Sequence, residues 1–179
     1  MLSTFPHISE AIPTYSAILD RATPANYAEA AAWYPNAQRV ALEMCVIDPT
    51  LDIERAASII SAFSPRVHWS RNVTLAKMFV SGLPVRCLGT SIRNAEASRS
   101  IGFDALRGLK TNAFARAIAG DGNAVVIDTH MIKPFGMDSV NRSQYQMAAN
   151  AVRSLAPRFN MPPATLQALI WVVQRGRAE

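Results

Sequence analysis

Apolar positions recur along this chain at spacings of three and four residues, and that rhythm predicts helices almost throughout. Between Asp52 and Phe63, the residues Ala56, Ile59, Ile60 and Phe63 share one helical stripe, which predicts a helix burying that face. Residues 8–22 read as a short helix interrupted or restarted at Pro13. Ala25–Trp33 is alanine-rich and helical. Tyr34-Pro35 predicts its end, because the residue before proline avoids the α region, and Pro35 then suits the first turn of a helix over about 36–47. That helix carries Val40, Ala41, Met44 and Cys45 on one stripe. Helix resumes through Val73, Ala76, Lys77 and Phe79 to Ser81-Gly82, and Ser91–Ile101 forms a polar, basic helix stopped by Gly102. Phe103–Arg107 and Thr111–Ala119 read as two arms of a hairpin. Asn141–Ala156 is bounded by Pro157; Pro163–Arg175 is the last helix, with Leu166, Ile170 and Val173 inward and Trp171 beside them. No period-two alternation exceeds four residues, and AVVI at 124–127 is too short to separate a strand from a buried turn of helix. The pattern implies an all-α bundle in a single domain over residues 1–179.

Composition narrows the class. Half the residues are hydrophobic and there is no low-complexity tract, as in a globular chain. No apolar run reaches the roughly 18 to 20 residues that cross a bilayer, and MLSTFPHISEAIP has neither a basic n-region nor an apolar h-region. A cytoplasmic protein without a membrane partner is expected. Two isolated cysteines, Cys45 and Cys87, suit free core thiols and are too few for a four-cysteine iron–sulfur site. Three scattered histidines give no metal-ligand spacing, so no metal is expected.

Charge is distributed unevenly. Residues 1–64 hold three basic residues against seven acids. Residues 65–116 hold nine, namely Arg66, Arg71, Lys77, Arg86, Arg93, Arg99, Arg107, Lys110 and Arg116, against Glu96 and Asp104. A basic middle after an acidic start points to a polyanion partner; a merely solvated basic surface is the plainer alternative.

Chemistry concentrates between Leu106 and Gly136. LRGLK is a basic turn centred on Gly108; TNAFARAIAG follows as a short helix; AVVIDTHMIKPFG is an apolar run ending on Asp128 at a helix start. A glycine between two short helices lets backbone N–H groups converge on an anion, and the second helix start adds partial positive charge. The same segment also reads as an ordinary helical hairpin. Asp128 has the position of an N-cap, a role compatible with catalysis.

Leu106-Arg107-Gly108-Leu109 followed by Val126-Ile127-Asp128-Thr129-His130-Met131 resembles the core of the helix-hairpin-helix (HhH-GPD) DNA glycosylases. In that superfamily an L-P-G-[VI]-G hairpin grips a phosphate and a V-D-T-H-V segment carries the catalytic aspartate. The present chain departs from it: the second glycine is missing and Arg107 replaces the proline. The spacing SPRxxW…GLKxxAF…GD…VxxDxH looks most like small phage and actinobacterial proteins near the alpha-glutamyl/putrescinyl-thymine pyrophosphorylase-like group.

The resemblance implies a two-lobed helical bundle with a helix-hairpin-helix motif (103–119), a catalytic segment (124–136) and an interlobe cleft. It implies a monomer that flips and excises a modified, bulky or hypermodified base from double-stranded DNA, in base-excision repair or phage–host conflict. Asp128 would stabilise the oxocarbenium-like sugar. Lys110 is either a Schiff-base nucleophile with associated AP-lyase activity or a phosphate contact; counted without gaps, the nucleophile position falls on Asn112. Arg107, Gly108, Leu109, Thr111 and Asn112 would hold DNA, in some relatives through a monovalent cation and otherwise without a cofactor. Arg66, His68, Trp69 and His130 would bind the base or fill its gap, against the plainer fates of core packing for Trp69 and structural hydrogen bonds for the histidines. The competing classes are an enzyme that tailors a modified base, and a DNA-binding module without catalysis.

Overall fold

The computed structural model describes residues 6–176, and among these the regular structure is entirely helical. Helix α1 spans Ala11–Leu19 after a 3-10 turn at Ile8–Glu10. Pro13 lies in its first turn, where a missing N–H has no intrahelical acceptor to lose, so the helix does not restart there. Helix α2 runs from Pro24 to Ile47 with Pro35 inside it, where the sequence predicts two helices. Pro35 is exposed, leaving the carbonyl it fails to bond within reach of water. Tyr34, Ala37, Ala41 and Met44 are buried along one face, and that stripe carries the helix through the proline.

The chain divides into two compact units with the boundary inside α2. Tyr34–Asp121 form one of them. Its hub is α3, Ile53–Phe63, started by Asp52, whose side chain accepts from the Arg55 N–H at 2.8 Å. Every residue from Ala56 to Phe63 is buried, because α4 (Trp69–Val80), α5 (Gly89–Ile101) and α6 (Leu109–Ala119) all pack on this helix. Gly102 ends α5 at φ 55°, and a Cβ there would collide with the Glu54 carboxylate. That carboxylate accepts from the Phe103 N–H at 3.2 Å. Only glycine fits both the backbone angle and the close approach. A 3-10 turn, Gly102–Ala105, then leads through Leu106–Gly108 into α6.

Among the described residues, the other unit holds those through Trp33 and those from Gly122 to Gly176. Here α1 packs on α8 (Arg142–Leu155) and α9 (Pro163–Arg175), and the short α7 (Thr129–Ile132) packs on α9. Asn141 and Gln144 start α8 with a reciprocal capping box. Ala124–Ile127 are buried but form neither strand nor helix. Among the described residues no helix is long and apolar enough to cross a membrane.

Candidate functional site

Ile127 is buried and Asp128 follows it in extended conformation (φ −107°, ψ −175°), the geometry of an N-cap. Its Oδ1 accepts from the backbone N–H of His130 at 2.9 Å and of Met131 at 3.1 Å. Its Oδ2 accepts from the indole Nε1–H of Trp171, on α9, at 2.9 Å. Trp171 lies 5.4 Å from the Trp33 ring at 32°, beneath the Arg175 guanidinium at 4.8 Å, and His130 meets it edge-on at 6.1 Å. Asp128 and His130 are both half-buried.

Two tyrosines brace the backbone on either side of Asp128. Tyr145, on α8, donates to the Val125 carbonyl at 2.9 Å and accepts from the Ile127 N–H at 3.2 Å. Tyr15, on α1, donates to the Met131 carbonyl at 3.1 Å. Burial pushes the Tyr15 phenol well above the usual tyrosine range, and the Asp128 charge adds to the effect. Burial likewise raises Tyr145, partly offset by its bond from Ile127 N–H. The segment 125–131 is thus held by three helices, and the carboxylate is fixed in an aromatic surrounding. Sequence reading found Asp128 and His130 but assigned no site role to Tyr15, Tyr145 or Trp171. Their partners are distant in sequence (Trp171 is 43 residues from Asp128), so no local spacing announces them.

The hairpin residues lie in the other unit. Gly108 is the N-cap of α6 at φ −74°, an angle any residue adopts, whereas Gly102 has a positive φ of 55°. Helix α6 begins at Leu109, two residues before the expected arm, which places Lys110 in its first turn. Lys110 and Leu109 are half-buried, whereas Arg107 and Gly108 are exposed. Thr111 donates to the Gly108 carbonyl at 3.1 Å, and its own carbonyl accepts from the Ser61 hydroxyl at 2.7 Å. The Asn112 amide donates to the carbonyls of Phe103 (2.9 Å) and Leu106 (3.2 Å) and accepts from Arg116 at 2.9 Å. The Arg116 guanidinium covers the Phe103 ring at 4.5 Å. Asn112 therefore staples the turn with its whole amide.

Trp69 opens α4 half-buried, its ring edge-on at 6.4 Å to Phe114 in the middle of α6. Lys110 lies one turn before Phe114 on the same helical face. Arg66 and Arg71 are exposed on either side of Trp69, and His68 is exposed at the N-cap of α4. Arg66 adopts φ 62°, a left-handed angle sparsely populated by non-glycine residues. Of the nine basic residues of the middle, Lys77 pairs with Glu43 and Arg99 with Asp48, each at 2.7 Å. These pairs hold Glu43 below the usual carboxylate range and contribute to lowering Asp48, behind its hydrogen bonds from Thr50. Cys45 and Cys87 are free and half-buried rather than core residues.

Fold and site together describe an all-helical protein with a braced N-cap carboxylate in one unit and basic helix starts in the other. The chain belongs to the family described as a family of unknown function (DUF7178), whose profile matches residues 9–178. No curated protein and no solved structure matches the chain.

Proposed function

We propose that the protein is a monomeric DNA glycosylase of the helix-hairpin-helix type that excises a modified base through Asp128, without a resident metal or cofactor. The observation that carries the proposal is the Asp128 carboxylate: half-buried, anchored by two backbone N–H groups and one indole, and backed by aromatic rings. A carboxylate pre-oriented in this way stabilises developing positive charge on a sugar without reorganising as the bond breaks. Three further features support the reading. The IDTH string sits at the helix start where the resembled superfamily carries its catalytic aspartate. The first and last helices share a unit, as they share a lobe in that superfamily. The Trp69–Phe114 pair, with Arg66, Arg71 and Lys110 beside it, offers cations and ring edges to a nucleic acid.

A DNA-binding module without catalysis is the second reading, favoured by a specific observation: three hydrogen bonds already give Asp128 a structural role. One experiment separates the two. Duplexes carrying a panel of modified pyrimidines are incubated with the protein and released base is detected by mass spectrometry. The glycosylase releases a base, and Asp128→Asn abolishes release while retaining DNA affinity. Lys110→Ala weakens DNA binding several-fold if Lys110 holds a phosphate, and removes borohydride-trappable product if it is the nucleophile. DNA binding without release from any duplex would leave the binding module standing.

A further inference from the structure

Trp171 has a sequence setting that suggests only packing, beside the inward residues of the last helix. Its contacts are more specific. An ionised carboxylate offers about four acceptor positions, two on each oxygen. Both positions on Oδ1 of Asp128 are taken, by the N–H groups of His130 and Met131. One position on Oδ2 is taken by the Trp171 indole. Among the described residues Oδ2 thus carries one hydrogen bond against two on Oδ1.

The indole suits this task for chemical reasons. It has one N–H donor and no acceptor, so it can hold the carboxylate but cannot relay a proton. Its plane is set by Trp33 at 5.4 Å, by the Arg175 guanidinium at 4.8 Å and by the edge of His130 at 6.1 Å, so the N–H has one direction in which to point. The cap alone would fix Oδ1 and leave the Oδ2 side to solvent. Adding the indole fixes both ends of the carboxylate.

We infer that Trp171 is a positioning residue for Asp128: it locks the carboxylate so that a cationic or hydrogen-donating ligand is met on its Oδ2 side. The identity of that ligand as an oxocarbenium-like sugar or an oriented water rests on the glycosylase reading; the lock itself does not. Trp171 therefore acts through Asp128.

The test has two arms. In the first, the full chain is labelled with nitrogen-15, and the Trp171 indole resonance is identified by its loss in Trp171→Phe. In Asp128→Asn this resonance moves more than those of Trp33 and Trp69, and in Asp128→Ala its exchange with solvent accelerates about tenfold or more, as expected on losing a bond to a charged acceptor. A Trp171 resonance indifferent to both substitutions overturns the inference, whatever the enzyme does. In the second arm, Trp171→Phe keeps an aromatic ring and loses the N–H. Base release at saturating DNA falls roughly 10- to 100-fold while DNA affinity stays within about twofold, the signature of misplaced chemistry rather than lost binding. A Trp171→Phe protein as fast as the wild type overturns it too. Should the wild type release no base from any duplex, the glycosylase reading fails and the indole resonance alone decides the lock.

Discussion

Asp128 accepts hydrogen bonds on both oxygens, and this makes asparagine a poor imitation of it. An amide has one acceptor oxygen and one donor nitrogen. In Asp128→Asn the oxygen can serve the two cap N–H groups, which sets the amide N–H₂ against the indole N–H; flipping the amide reverses the conflict. One donor set loses its partner either way, so the substitution lowers stability by about 1–3 kcal/mol. Removing the stranded indole N–H relieves part of that cost. The double variant Asp128→Asn/Trp171→Phe therefore loses less stability in urea unfolding than the sum of the two single variants. Strict additivity would show that the two side chains are not coupled. Asp128 was visible from sequence because an acid between an apolar run and a helix is a local signal. Trp171 was not, because its partner is reached only when α7 packs on α9.

Helix α2 shows how packing overrides a local rule. Pro35 removes one backbone donor and crowds the turn before it, and proline in a helix interior costs about 3 kcal/mol relative to alanine. The helix persists because Tyr34, Ala37, Ala41 and Met44 are buried on one stripe. Pro35 is exposed, so Pro35→Ala removes the cost without touching the core. Part of the gain is returned, since alanine restores freedom to the unfolded chain. The expected net is a stabilisation of about 1–3 kcal/mol, measured as a higher urea midpoint at unchanged slope. A midpoint that falls would mean that Pro35 stabilises the fold. Elsewhere local signals sufficed: Gly102 ends α5, Asn141 starts α8, and Pro163–Arg175 is a helix with the boundaries its pattern predicts.

At the scale of the whole molecule, the buried tyrosines make stability sensitive to alkali. Unfolded tyrosine ionises near about pH 10. Tyr15, fully buried and beside the Asp128 charge, resists ionisation in the folded state. Above about pH 10 the unfolded state thus binds fewer protons than the native state, and stability falls as pH rises, by up to about 1.4 kcal/mol per pH unit for this residue. Below that pH its contribution is complete. Tyr15→Phe removes a hydroxyl bonded to Met131 and so lowers stability at neutral pH, but its stability declines less steeply between about pH 10 and 11 than that of the wild type. Parallel declines would place the alkaline sensitivity in other groups. What the sequence determined by itself was whatever depends on near neighbours: the helical class, most element boundaries, the basic middle and the N-cap carboxylate, since periodicity, capping and charge act over a few residues. The tertiary structure alone decided that α2 is continuous, that a Cβ at Gly102 would meet the Glu54 carboxylate, that Asn112 is engaged within its turn, and that Tyr15, Tyr145 and Trp171 converge on the segment around Asp128. Each of these depends on which distant side chain fills the space beside a residue, and that is set by packing between helices rather than by local spacing.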